Sequence, residues 1–372
     1  MSLFYRTLVL LSAWMQTVFQ LYAQADQPKP TTYSDFVIDG NQVWLLNSKG
    51  FVMVGNLHSE NYVDSTIATD APIIALTKDR KENIVIGDSS HTIRQYDNQQ
   101  KVWLTIGRTT NKLTNIIFNS HNTCFGVTNL GIVDIETGKC YFPADSLSEN
   151  SYVRYKNGWF HAPTCFIDHQ DKLWLGFDHG EWGGDVFAFD TRKKTFIPLK
   201  TAAVNMAMNP VDGFCEAEGH VYMSGGLSHI SLTHGSIVKF TDNVAYSILE
   251  SKDVETPVNV GSDKLTGKVE KWITWTGGHQ IGPITYNALN NCLYFYSQNG
   301  IFRGRLKATL GDINQWKNVL KPQLKWGSGR HNAVGSPMNV LKMEFTPNGA
   351  LVFLAEYDGL GIYDGKSLHF IR

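Results

Sequence analysis

Short runs of alternating apolar and polar residues, broken by Gly, Asn and Asp, fill this chain from Asp35 to Ile371. In the clearest stretch, Thr164 to Asp168 is one run, Lys172 to Phe177 a second, Val186 to Phe189 a third and Thr195 to Leu199 a fourth. Period-two alternation between turn residues predicts β-strands joined in hairpins, and helical periodicity is hard to find. The same phrase then returns: an apolar run, a polar turn with Gly, a second apolar run. Leu173-Trp174-Leu175-Gly176, Asp178-His179-Gly180 and Val186-Phe187-Ala188-Phe189-Asp190 make one copy. Leu351 to Leu354, Tyr357-Asp358-Gly359 and Leu360 to Asp364 make the last.

The first runs of the other copies are Val43 to Leu46, Ile84 to Gly87, Cys124 to Val127, Val221 to Met223 and Leu293 to Tyr296. A repeat of roughly 40 to 50 residues is the mark of radially or linearly stacked units. The expected fold is all-β: a seven-bladed β-propeller of four-stranded antiparallel blades over residues 26–372. Blade one would open at Asp35 to Ile38, and blade seven would end at Ser367 to Ile371 and pack directly on blade one. The fifth and sixth copies stand 72 residues apart, from Val221 to Leu293, which leaves six or eight blades as alternatives. That gap is mostly an insertion, 250–278, with Trp272 and Trp275. A long insertion in a tight repeat is expected to cap or line a binding face.

The first 25 residues read differently. Arg6, an apolar run from Leu8 to Val18, and Ala23-Gln24-Ala25 have the order of a secretory signal peptide cleaved near Ala25. The apolar run is shorter than the ~20 residues a bilayer span needs. A mature protein in the periplasm or outside the cell is expected, monomeric and free of the membrane after cleavage. Formal net charge is -1 with no basic stripe, which disfavours a nucleic-acid partner. The 5 cysteines (Cys124, Cys140, Cys165, Cys215, Cys292) are odd in number and scattered, and read as buried thiols. A Cys124–Cys140 bridge is the one pairing within a single blade.

Two resemblances follow from these residues. The Leu-Trp-Leu-Gly, Gly, Phe-Asp phrase at 173–190 and its copy at 351–364 resemble the propeller repeats of extracellular sensor domains in hybrid two-component regulators. The resemblance implies ligand sensing or binding, although no kinase region or further membrane span follows the repeats here. His161-Ala162-Pro163, Ile167-Asp168, Leu173-Trp174-Leu175 and His179-Gly180 resemble one blade of BNR-type propellers, a group that includes polysaccharide lyases acting on ulvan. Pro163 stands one position early for that pattern.

In a propeller, the loops entering the first strand of each blade and those between its second and third strands open on one axial face. His91, His179, His229 and His234 fall in the second kind of loop, and His161, His279 and His331 in the first, so seven of the 12 histidines map to one face. His161 and His179 bracket two strands of one blade. By the lyase resemblance, one of them would be the base of a β-elimination on a uronic acid, which also needs an acid and a cation for the carboxylate. Tyr222 is the candidate acid, and Arg330 or Arg108 the candidate cation, on predicted location alone. His161, His179 and Asp185 could instead hold a metal with His229 or His234, without any short-spaced ligand motif to identify the ion. A carboxylate pair among Glu181, Asp185, Glu356 and Asp358 would suit glycoside hydrolysis. Trp159, Trp182, Trp272, Trp275 and Trp326 fall in the same loops, where an aromatic face can stack on a sugar ring. Taken together, the expected activity is binding of a carbohydrate or other small ligand at the axial face, through Trp182, Glu181, Asp185, His229, His279, His331 and Trp275. Polysaccharide lyase chemistry and a protein-interaction platform are the alternatives, and no cofactor is indicated.

Overall fold

The computed structural model describes 32–58, 65–67, 69–143, 155, 161–229, 232–251, 254–258, 273–277, 280–297, 300–324 and 339–371. For Glu181, His229, Trp275 and a few other residues in strands or turns, only the backbone is described. Residues 1–25, Arg330, His279, His331, Trp159, Trp272 and Trp326 lie outside this set.

Seven four-stranded antiparallel sheets follow one another along the chain, and within each the strands pair in sequence order, here A to D. Blade one starts at strand A, Tyr33–Asp39, and blade seven ends at strand D, Leu368–Ile371. Blade four is Thr164–Ile167, Lys172–Asp178, Gly184–Asp190 and Thr195–Ile197. The elements read from alternation at 164–199 are therefore found within a residue or two of their predicted ends.

The core is divided as the fold demands. Each blade exposes two apolar faces and must cover both with its neighbours. The first cluster joins Phe36, Val43 and Leu45 of blade one to Val352, Leu354 and Leu360 of blade seven. Further clusters join blades one and two around Trp44 and Ile86, two and three around Val85 and Ile116, and three and four around Phe125 and Leu175. Others join four and five around Trp174 and Met223, five and six around Ile237 and Phe295, and six and seven around Tyr294 and Phe353. The ring closes by packing alone, with no strand exchanged between termini. All five thiols are free, so the Cys124–Cys140 bridge is not made. Burial, then the charges of Asp134 and Asp79, push the Cys124 thiol up to about 12.

The A–B hairpin turns of blades two, three and four share one chemistry. Asp79 Oδ1 accepts from the backbone N–H groups of Lys81 and Asn83, Asn119 Oδ1 from those of His121 and Thr123, and Asp168 Oδ1 from those of Gln170 and Lys172. The fourth residue of each turn is left-handed: Glu82 at φ 64°, Asn122 at 62° and Asp171 at 63°. Side-chain acceptors at the first position replace a backbone turn bond and set the hairpin.

Strand A holds a second regularity. Its pairing with strand B slips by one residue near its start in five blades, leaving Ser34, Ile74, Thr114, Asp212 and Leu341 as the extra residue. Blade six slips over Gly282 and Pro283, whereas blade four pairs without a slip. A bulge re-aims a side chain. In blades one, five and seven the bulged residues Ser34, Asp212 and Leu341 line the axial cavities, an aim that period-two alternation alone would not predict.

Candidate functional site

The D–A and B–C loops share the upper axial face. It is built highest over blades four to six. The B–C loop of blade four forms a single 3-10 turn, Gly180–Trp182, beside the short hairpin Ser228–His229 and Leu232–Thr233 in the B–C excursion of blade five. That hairpin in turn lies against the insertion, whose ends pair as strands Val254–Val258 and Ile273–Gly277. Among the described residues, then, the insertion adds a β-hairpin to this face, with Trp275 in its second strand. His229 sits in the small hairpin.

Gly183 explains why the blade-four loop is seated as it is. Its φ is 86°, and a Cβ there would stand 2.6 Å from Ala207 Cα in the D–A loop. Only glycine allows the two loops to meet so closely. The meeting leaves Trp182 on the outer rim, 57% exposed.

His161 and His179 come together, with ring centroids 6.0 Å apart. Their surroundings differ. His161 is exposed, whereas His179 is buried, stacked on Phe177 at 5.8 Å. His179 Nε2 lies 3.1 Å from Asp185 Oδ2, so the carboxylate accepts and Nε2 carries the proton. Nδ1 is closed off without a hydrogen-bond partner. Asp185 is in strand C rather than in the loop, and it is buried. Among the described residues no group of three or more His, Cys, Asp and Glu is arranged to hold a metal.

Tyr222 is placed elsewhere. It lies in strand B of blade five, buried between blades five and six, and burial pushes its hydroxyl up to about 12. Arg108 belongs to strand D of blade two, where its Nε donates to Thr92 Oγ1. His91 and His234 do lie in B–C loops, Asp358 is buried, and Glu356 is half-buried.

Among the described residues, two adjoining cavities of about 490 Å³ each lie along the axis, and a smaller one of about 250 Å³ shares Lys342 and Glu344 with the lower of the two. The upper is lined by Ala162, Asp178, Gly180, Gly226 and Gln280 from the loops, and by Thr164, Asp212 and Leu341 from strands A. Asp212, Thr164, Pro283 and Leu341 line both cavities, so the junction is made largely by the bulged residues. The lower cavity contains Asp35, Asn115, Lys342 and Glu344. Lys342 Nζ donates to Asp35 Oδ1 and to Phe36 O, each at 2.8 Å. Burial pulls the Lys342 ammonium down, but Asp35 and Glu344 outweigh it and hold the group above its ordinary value. Asp212 moves the other way. Burial, reinforced by the Asp178 charge, pushes its carboxyl well above the ordinary carboxylate range, and the nearby Gln280 amide only partly offsets this.

Ala162, Asp178 and Gly180, the chain neighbours of His161 and His179, form part of the wall of the upper cavity. Asp212, Asp178 and Gln280 were missed. A signal for Asp212 exists in hindsight: it is a charged residue inside the apolar opening of a strand A, Val211 to Cys215.

No family model matches the chain, and no curated protein matches it. Solved structures do. The extracellular domain of BT4673, assigned as a one-component system, from B. thetaiotaomicron superposes with TM-score 0.51 at 11% identity, over 90% of this chain and 38% of that one. A catalytically inactive virginiamycin B lyase from Staphylococcus aureus, solved with quinupristin, superposes with TM-score 0.54 at 12% identity, over 93% of this chain and 97% of that one. The β-propeller domain of Cps50 (Swd1) from Myceliophteria thermophila gives TM-score 0.55 at 10% identity, over 91% and 98%. The chain is a seven-bladed β-propeller. At such identities the likeness concerns the fold alone, and this chain spans well under half of the BT4673 chain. Among the described residues no helix is long and apolar enough to cross a membrane.

Proposed function

We propose that this propeller binds a carbohydrate at its upper axial face after export directed by residues 1–25. The observation that carries the reading is Trp182, an exposed indole in the glycine-seated turn whose first residue, Gly180, lines a polar cavity of about 490 Å³. Sites for small ligands combine an apolar platform with a few oriented polar groups in cavities of roughly 300–1,000 Å³. The turn that carries the indole also puts Gly180 on the cavity wall with Thr164, Asp178, Asp212 and Gln280, so one loop supplies the platform and borders the polar groups. The test is a glycan array on the mature protein, followed by titration of any hit with intrinsic fluorescence as readout. Trp182→Ala should weaken binding about tenfold, the scale of one aromatic stacking contact. Retained affinity in that variant would count against the reading, and capture of proteins but no glycan would favour an interaction platform.

A second reading is supported by the pairing of His161 and His179. An exposed imidazole 6.0 Å from one oriented by Asp185 has the makings of a base and its support. If the protein is a polysaccharide lyase, enol-ether absorbance rises on incubation with uronic-acid polymers and is lost in His161→Ala. No rise across a broad panel removes the lyase.

A further inference from the structure

The upper cavity is short of donors. Asp212 Oδ2 and Gln280 Oε1 are both closed off from solvent and both lack a hydrogen-bond partner. Buried acceptors in that state cost about 1–3 kcal/mol each, so two on one cavity wall call for an explanation. The assignment of the Gln280 amide is set by its other end, because Nε2 donates to Gly226 O at 3.3 Å. Pro210 O on the same wall already accepts from Gly226 N. Asp178 adds a second carboxylate, and among the described residues lining this cavity there is no Lys, Arg or His. Lys342, the lysine among the described residues lining the lower cavity, is engaged with Asp35.

We infer that the upper axial cavity takes a primary ammonium group of its ligand against Asp212 Oδ2 and Gln280 Oε1, which makes the preferred carbohydrate an amino sugar. An ammonium is a compact donor of three hydrogen bonds with no acceptor, the complement of two spare oxygens on separate residues. Its charge also answers the two carboxylates, and charge-assisted bonds are about twice as strong as neutral ones. A uronate presents the opposite sign to this wall. The inference rests on the carbohydrate reading for the sugar, but the ammonium subsite does not need the sugar to be right.

Calorimetric titration of the mature protein with glucosamine, N-acetylglucosamine, glucose, butylamine and calcium chloride separates the possibilities. Glucosamine should bind at least about tenfold more tightly than glucose or N-acetylglucosamine, and Asp212→Asn, nearly isosteric, should remove that preference. Gln280→Leu should reduce it in part. Butylamine bound in an Asp212-dependent way, with no sugar bound, would keep the ammonium subsite and end the carbohydrate reading. Neutral sugars bound as well as glucosamine, with no effect of Asp212→Asn, would overturn the subsite and leave the carbohydrate reading standing. Calcium bound in place of amines would overturn the ammonium assignment, and silence from every probe would overturn both readings. Thermal melts of each variant confirm that the fold is retained.

Discussion

Asp171 and Asp212 are acidic residues at opposite ends of one ring, and their surroundings are inverted. Asp171, in the A–B turn of blade four on the lower face, is buried and saturated: its carboxylate accepts from Ser120 N at 2.7 Å, Ser120 Oγ at 2.6 Å and Arg192 Nε at 2.6 Å. Burial raises its carboxyl, but the Ser120 and Arg192 contacts outweigh that and hold it below the ordinary value. Asp212, at the upper mouth, has an oxygen with no partner and a carboxyl pushed up. The difference extends to the faces. Lower-face turns are tied blade to blade, by Arg80 N to Asn122 Oδ1, Ser120 to Asp171, His169 N to Glu216 Oε2 and Asn291 Nδ2 to Glu218 Oε1. At the upper axial mouth, Asp212 Oδ2 and Gln280 Oε1 are left unused, although Asp88 in a B–C turn of the same face accepts from Ser90, Thr92 and Arg94. The contrast therefore lies between the lower turns and the axial mouth of blades five and six.

The largest expected effect breaks the saturated end. Asp171→Ala strands the Ser120 N–H and the Arg192 guanidinium, and should cost about 3 kcal/mol, within the range for removing one partner of a buried charged network. Urea denaturation at neutral pH measures it. The loss should shrink in acid: a group held below its ordinary pKa contributes its stability above the unfolded value and gives it up as pH falls through the folded one. A loss under about 0.5 kcal/mol, typical of a surface site, would mean that the lower face is not stitched in the sense argued. Axial ligand binding should be untouched in the folded fraction.

This contrast also shows what could be read from the chain alone. The seven-copy phrase is legible because a blade must bury both faces, and Leu173, Leu175, Phe187 and Phe189 reach one interblade core while Trp174 and Ala188 reach the next. Alternation therefore survives in the sequence as pattern. His161 and His179 are met at the same blade edge, as loop order requires. That His179 is buried and His161 exposed is not legible, because it depends on how Gly183 seats the turn against Ala207. Asp212 is hidden for a different reason. Its aim is set by a one-residue slip between strands A and B, a property of pairing across the hairpin that neither strand carries by itself. Gln280, at the end of a long insertion, reaches Gly226 from the D–A loop of blade five, and a distance of 54 residues gives no local hint of it.

The smaller effect runs the other way, and it sharpens the comparison most. Asp212→Asn should stabilise the ligand-free protein, by about 1 kcal/mol near neutral pH, since it removes a carboxyl whose ionisation burial penalises and supplies an amide donor. A carboxyl whose folded pKa lies above its unfolded one binds its proton more tightly when folded, so stability is lost as pH rises between the two values and stays lost above the folded one. The melting-temperature gain of the variant should accordingly be near zero in acid below the ordinary carboxylate range and grow with pH beyond it. The groups facing Asp212 are Asp178 from strand B of blade four, the Gln280 amide, and Asp35, Glu344 and Lys342 in the adjoining cavity. Of these, Asp178 is the charge that raises it, so Asp178→Asn should give a smaller gain with the same pH profile. Asp171 and Asp212 would then give opposite slopes of stability against pH from the two ends of the same ring. Parallel slopes would mean that Asp212 is as well satisfied as Asp171, and the upper cavity would have no unmet demand for a cation.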